Sequence, residues 1–452
     1  MKKKFREYVP NQILLLPPSL NEWLPDDHPV HFFNEVIGEL DLSAIYGSYQ
    51  ERRGNPPYEP KLMVKILLYA ISKRIHSSRR IEAALYDDVA FRYLAGNQQP
   101  DHWTISDFRR RHHQGLGDLF VQTVTLAGKI GLVNLRHTAT DGTKIKANAS
   151  KHSAMSYGRM QSDEERLRQE IEQELRRMEE TDRAEDKEHG ERRGDELPAA
   201  LSTASKRLDA IRKAKAALEE EVREKARQEQ AKKEKEAALS GKRYKTRQDP
   251  AQAKPKAKDQ RNFTDPESKI MKNADKAFIQ AYNAQATVDA HSQIIVAADL
   301  SNQGNDCPHL IRQIEQVIAN TGLIPQESLA DAGYYSEGNI AYLSSRKISA
   351  LIPPEKLKHS EWRTMPSPEE PIPDTATTKE RMRYTLRTEA GRAAYKLRQQ
   401  SVEPVFGYIK EQLGLRQFLL RGIDKVRSLW RMACAVSNLM KLYRAGYRVT
   451  AH

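Results

Sequence analysis

The chain has 452 residues, a formal net charge of +13, and charged side chains at 30% of its positions. That length exceeds one ordinary core and accommodates two or three domains, while the charge favours a polyanionic partner, nucleic acid before anionic membrane. No run of about 18 apolar residues exists to span a membrane, and the N-terminal MKKKFREYVPNQ lacks the apolar stretch of a signal peptide. Cys307 and Cys434 make neither a disulfide framework nor a zinc site, and both are expected as small buried hydrophobes in a reducing cytoplasm.

Residues 1–135 read as an all-α domain. In PYEPKLMVKILLYAISKRI (57–75) the residues Leu62, Ile66, Tyr69 and Ala70 recur at the spacing of one helical face. SSRRIEAALYDDVAFRYLAG (77–96) gives one or two short helices ending at Gly96. The next helix opens with Thr104 and Asp107 in capping-box spacing. Arg79, Arg80, Arg109, Arg110 and Arg111 are expected near helix starts, as in a helix-turn-helix-like DNA-binding unit. An ordinary helical domain with a solvated arginine face fits this segment equally well.

Residues 159–262 are crowded with Glu, Lys, Arg, Gln and Ala. Leu167, Ile171, Leu175 and Met178 form one apolar stripe. Leu201, Ala204, Leu208, Ile211, Lys215, Leu218 and Val222 follow the 3-4 alternation of a heptad seam. An antiparallel helical hairpin or coiled-coil insertion is expected, broken near His189–Gly190 and DELP (195–198), then a basic linker (240–261). It could dimerise, lie along DNA, or be a solvated pair without chemistry.

A second domain comprises residues 136–158 and 263–452. TATDGTKIKAN (138–148) reads as a strand, and KAFIQAYNAQATVDAHSQIIVAADL (276–300) as a hairpin turning at Ala290–Ser292. Asp306 is expected to N-cap a helix carrying Leu310, Ile314, Val317 and Ile318, stopped by Gly322. Strands follow at 327–336 and 348–354, then a loop over 355–388, then helices to about Tyr447. With the insertion removed, this is the element order of an RNase H-like α/β fold, a mixed sheet flanked by helices.

Three acids stand out. Asp141 is the only Asp or Glu between Asp118 and Asp163. Strand alternation places it with Ala139, Thr143, Ile145 and Ala147, a largely apolar face on which an ionised carboxylate needs a partner. Lys144, Lys146 or Arg136 could pair with it; a cation is the other solution, and Gly142 leaves room for a ligand to approach. Asp331 lies at a strand's C-terminal end, where ligands gather in open α/β sheets, or it simply makes an Asx-turn. Tyr334 and Tyr335 could cover the site or stack on a base. Glu403 borders a stripe of Val402, Phe406, Ile409 and Leu413, with Lys410 two turns on and a kink or restart expected at 400–404 because of Pro404.

TDGTKIKANAS (140–150), LADAGYYSEGNI (329–340) and YKLRQQSVEPVFGYIKEQLGLRQF (395–418), in that order, resemble the DDE transposases of bacterial insertion sequences. The likeness extends to PPYEPKLMVKILLYAISKRIHSSRRIEAAL and KVRSLWRMACAVSNLMKLYR. It implies an RNase H-like catalytic domain in which Asp141, Asp331 and Glu403 hold two Mg²⁺ (or Mn²⁺) ions. It also implies DNA contacts by Lys410, Tyr395 and Arg398. The family's third-acid helix places three residues between its Arg and Glu; here four separate Arg398 from Glu403, a rotation of about 100° in a regular helix. Lys144, Lys146 and Lys151 then read as phosphate contacts. The implied activity is hydrolysis of a phosphodiester at the element's end and transfer of the freed 3′-hydroxyl to target DNA. The implied partners are double-stranded DNA and a second copy of the chain, and the implied place is the cytoplasm, at the nucleoid. The competing readings are an RNase H-fold nuclease without transposition and a non-catalytic DNA-binding protein.

Overall fold

A computed structural model describes residues 19–49, 56–150, 153–189, 199–239, 249–273, 276–355, 367–368 and 371–449. The chain begins as short helices: α1 (Pro29–Glu39), α2 (Ser43–Tyr46), α3 (Pro60–Ser72), α4 (Ser78–Asp87), α5 (Val89–Leu94), α6 (His102–Arg111) and α7 (His113–Lys129). Proline at the first position starts α3, where its missing N–H costs nothing. Sequence spacing assigned α3 one apolar face, yet ten of its residues are buried, from Pro60 to Ile71. It is the hub of the helical half, not a surface helix. Helix α6 is capped by Asp101, whose carboxylate accepts from the Thr104 N–H at 2.6 Å, three residues before the expected cap.

The main sheet runs β6–β5–β1–β7–β8, with β1 at His137–Lys146, β5 at Phe278–Asp289, β6 at Ile295–Ser301, β7 at Glu327–Ala330 and β8 at Ser349–Leu351. Strands β1, β5 and β6 form an antiparallel meander, whereas β7 and β8 lie parallel to β1. A further strand, β4 (Lys269–Lys272), pairs with the start of β5. The β5–β6 turn falls where expected, because Asp289 Oδ1 accepts from the His291 and Ser292 N–H groups at 3.0 Å. Asp289 Oδ2 also accepts from Asn134 and Leu135, which ties the turn to the chain entering β1.

Between β1 and β5 the insertion folds as α8 (Tyr157–His189) and α9 (Ala199–Leu239). They are antiparallel, since Arg207 lies near Asp163, Arg212 near Glu164, and Tyr157 bonds to Glu219. Their seam buries Met160, Leu167, Leu208, Ile211 and Ala214, and Lys215 is accommodated by pairing with Glu164 at 2.9 Å. The expected breaks at 190–198 and the linker's first half lie outside the described residues, as do the side chains of Leu175, Met178 and Leu201. The linker's second half is ordered: β3 (Gln260–Asn262) pairs with β2 (Ala154–Ser156).

Helix α10 (Leu310–Thr321) ends at Gly322 with φ 70°, as expected. Asp306 does not cap it. Its side chain makes no cap bond and turns inward instead. After β7 comes α11 (Glu337–Ser345). The expected loop over 355–388 contains α12 (Thr378–Arg387), opened by a capping box between Thr377 and Glu380 that the surrounding Pro and Thr residues obscured. Helix α13 (Glu389–Gly407) runs unbroken through Pro404 and passes into a π-helical turn at Tyr408–Gln412. The departure from α geometry therefore falls after the proline, not at 400–404. The proline leaves the Gln400 carbonyl without its helical donor, and Gln293 Nε2 donates to it at 3.0 Å.

Helix α14 (Ile423–Arg444) is buried along most of its length and joins the two halves. One core contains Phe33, Tyr69 and Phe120 from the N-terminal helices, Trp430 from α14, and Ala139 and Val288 from the sheet. Along the edge strand β6, Asn438 bonds both backbone groups of Ile295, and Arg431 donates to the Ala298 carbonyl. These bonds occupy groups that would otherwise template pairing with another chain. Among the described residues no helix is long and apolar enough to cross a membrane. Cys434 is buried as expected, but Cys307 is only partly so.

Candidate active site

Asp141 lies in the middle of β1, opposite Ala286 of β5. Its side chain points toward α13 and is 19% exposed. None of the lysines expected beside it is its partner. Arg398 of α13 donates from Nη1 to Asp141 Oδ2 at 2.9 Å, and Oδ1 accepts from the Gly142 N–H at 2.7 Å. Burial pushes the Asp141 carboxyl up to about 6; Arg398 opposes that shift, and the nearby Asp331 adds to it.

The same guanidinium approaches Glu403 Oε1 at 3.6 Å through Nη2 and lies 5.8 Å from the Tyr395 ring centroid. The extra residue between Arg398 and Glu403 thus leaves both Arg398 and Tyr395 at the site, because the long arginine side chain spans the angular offset. Arg398 is buried, whereas Glu403 is half exposed.

Asp331 follows β7 directly. Its Oδ1 accepts from the Gly333 N–H at 2.8 Å, so it makes an Asx-turn and also sits at the strand's C-terminal end. Tyr334 does not cover the site or present a face to a base: it is fully buried and its hydroxyl donates to Gln285 Oε1. Tyr335 is partly buried against a second apolar cluster formed by Leu310, Ile314 and Leu343.

Among the described residues no three His, Cys, Asp or Glu side chains are grouped to hold a metal ion, and Arg398 bridges two of the three expected ligands. The donor chemistry nevertheless suits a hard divalent cation, since all three acids offer oxygen. Burial holds the Asp141 carboxyl near 6 even beside Arg398, and a divalent cation there would favour its ionised form.

A cleft of about 480 Å³ opens next to Asp141, lined by Gly142, Thr143, Lys144, Lys146, Lys272, Asn273, Ile279, Lys410 and Arg416. Lys410 projects from the π-helical turn and donates to Thr143 Oγ1 at 2.5 Å. Lys146 is exposed at the end of β1. Lys144 is committed to an ion pair with Asp306 at 3.0 Å, and Lys151 lies outside the described residues. The cleft collects five cations from β1, β4 and the α13–α14 connection, which is suited to a phosphate chain.

The arginines of the helical half divide differently. Arg109, Arg110 and Arg111 form the last turn of α6, not its start. Arg110 and Arg111 are exposed and pair with Asp107. Arg109 is buried, donating to the His76 carbonyl and Ser78 Oγ at 2.9 Å. His76 in turn bonds the Leu413 carbonyl and Arg74 bonds the Gln412 carbonyl, where the chain leaves the π-helical turn. Arg109 thus steadies the contact between the helical half and the site helix.

Asp306, Asn283 and Gln285 were missed as site residues. Asp306 Oδ1 accepts from Asn283 Nδ2 at 2.6 Å and from Gln285 Nε2 at 2.8 Å. A side chain at Gly142 would collide with this group, coming within 2.3 Å of Gln285 Nε2 and 2.8 Å of Asp306 Oδ1. The space a side chain would take at Gly142 is filled by the protein itself, while the residue also lines the cleft. The row Asn283, Gln285, Thr287, alternating with small apolar residues in a buried strand, was the available signal.

A family model described as Transposase DDE domain matches residues 214–439, half of the chain, and one described as Transposase domain (DUF772) matches residues 18–111. The chain belongs to the DDE transposase family. No curated protein and no solved structure matches it. The DDE match begins within α9 of the transposase and includes Asp306, Asp331, Arg398, Glu403 and Lys410; Asp141 precedes it.

Proposed function

We propose that the transposase binds the ends of its insertion sequence and catalyses end cleavage and strand transfer at the site around Asp141. The observation that carries this is the meeting of Asp141, Arg398 and Glu403 beside a five-cation cleft in a member of this family. The meander β1–β5–β6, followed by two parallel strands on the other side of β1, supports an RNase H-like catalytic domain.

Asp141, Asp331 and Glu403 would hold two Mg²⁺ or Mn²⁺ ions, which when bound supply positive charge to the attacking and leaving oxygens at phosphorus. Cleavage makes a bond from water oxygen to phosphorus, breaks the bond to the 3′ oxygen, and leaves a 3′-hydroxyl with a 5′-phosphate. That hydroxyl then displaces the 3′ oxygen of a target phosphodiester. Lys410, Lys146 and Lys272 line the cleft in which the phosphate chain would lie, with Lys144 contributing if DNA draws it from Asp306. Arg398 orients Asp141 and Glu403, and Tyr395 lies against its guanidinium. On the helical half, Arg79 and Arg80 at the start of α4 and Arg110 and Arg111 at the end of α6 are exposed and available to DNA. Paired ends imply a dimer, with the hairpin available to assist it.

The test is end cleavage by the full-length chain on DNA carrying its terminal repeats. Asp331→Asn should retain DNA binding within a few-fold and lose Mg²⁺-dependent cleavage by at least about 10³-fold, as expected for removal of a metal-holding carboxylate. A wild-type chain that never cuts such DNA with Mg²⁺ or Mn²⁺ would falsify the proposal.

A further inference from the structure

The sheet faces away from Asp141 in one place that the cleavage chemistry leaves unexplained. On the reverse side of β1, Asp306 binds Lys144, Asn283 and Gln285 together. Gln285 Nε2 also donates to Asn283 Oδ1 at 3.0 Å, while its Oε1 accepts from the buried Tyr334 hydroxyl. Tyr334 belongs to the 3₁₀ turn that Asp331 caps, and a side chain at Gly333 would lie 3.8 Å from Asp306 Cβ. The group therefore touches both aspartate-bearing segments, at Gly142 on one side and at the Asp331 turn on the other.

Fixing it costs something. Two amides and a phenol are buried, and an aspartate and a lysine are partly withdrawn from water; a fully apolar filling would be easier to accommodate. Such an arrangement is fully hydrogen-bonded and directional, so it holds distances that apolar packing would leave adjustable. The short strand β7 pairs with β1 only over His137–Thr140, ending before Asp141. Beyond that point no backbone pairing between β1 and β7 sets the position of Asp331 relative to Asp141.

We infer that Asp306, acting through Gln285 and Tyr334, is a positioning residue that sets the separation of Asp141 and Asp331 for binding divalent cations. The inference rests on the reading of those two aspartates as metal holders. Groups that support a metal's ligands from outside typically change its affinity by about 10–100-fold when removed.

The test is calorimetric titration of Mn²⁺ into the full-length protein, without DNA, for wild type, Asp306→Asn and Tyr334→Phe. Both variants should bind Mn²⁺ at least about 10-fold more weakly. Their DNA cleavage should recover toward the wild-type rate when Mn²⁺ is raised, which a general loss of folding would not allow. Should Asp306→Asn fail to fold, Tyr334→Phe decides alone, because it preserves the ring in its buried place and removes only the tie to Gln285. Mn²⁺ affinity in Tyr334→Phe equal to wild type overturns the inference while leaving the transposase site standing. Wild-type protein that neither binds Mn²⁺ nor cleaves DNA overturns both.

Discussion

Asp141 concentrates the tension between folding and function in one side chain. Its carboxyl stands near 6 in the folded protein, raised chiefly by burial, against ~3.9 in an unfolded chain. The stability associated with its neutral form is fully present below the unfolded value and is lost as pH rises through the folded one. That loss amounts to up to roughly 3 kcal/mol across about pH 4–6. Asparagine at this position does not titrate. Urea unfolding of Asp141→Asn should therefore show its stability relative to wild type growing as pH rises over that window, then levelling off. A difference that is flat with pH would mean the carboxyl is not held neutral by the fold. Arg109 makes the complementary point: an arginine beside two exposed ones is an internal strut, distinguished by the His76 carbonyl and Ser78 hydroxyl that receive it.

At the scale of elements, Pro404 shows how a local rule can be met from far away. A proline inside a helix leaves one carbonyl without its donor, and here Gln293, over a hundred residues earlier, supplies it. Gln293 has φ 59°, a backbone region that asparagine tolerates well. Gln293→Asn should keep the turn, lose the reach to Gln400, and cost about 1 kcal/mol in urea unfolding. In a Pro404→Ala background the backbone N–H returns and the same substitution should cost much less. Equal costs in the two backgrounds would show that the amide is not compensating for the proline. The π-helical turn that follows is held likewise at its end, where the Gln412 and Leu413 carbonyls are taken by Arg74 and His76 of the helical half. The site helix is thus held at both irregularities by distant segments, which is why a sequence window around 400–412 misplaced the irregular stretch.

For the whole molecule, the two parts of the chain divide unevenly. The N-terminal helices share a core with α14 and the sheet, so they and the catalytic half form one packed body. The hairpin has its own small seam, closed near its base by Tyr157 and Glu219, and is tied to the body there through Glu221, which meets Arg261 and Lys269. Replacing residues 172–203 with a short Gly/Ser linker should leave the body's stability within about 0.5 kcal/mol by urea unfolding, since the replaced tip lies beyond the base contacts. A large loss of stability would instead make the hairpin part of the body's core.

What the sequence by itself determined were features whose causes are local. Alternation and turn residues placed β1, the β5–β6 hairpin, β7 and β8; Gly322 ended α10; heptad spacing announced the hairpin; and the ordered motifs pointed to the family that the two domain matches bear out. Tertiary structure decided what depends on partners far along the chain. It gave Asp141 to Arg398 and not to its neighbouring lysines, turned Asp306 inward, buried Tyr334, and fused the helical half to the sheet through α14. The reason is physical: propensity and periodicity act over one or two turns, whereas the partner of a buried charge is fixed by whichever distant side chain the packed core brings within about 3 Å of it.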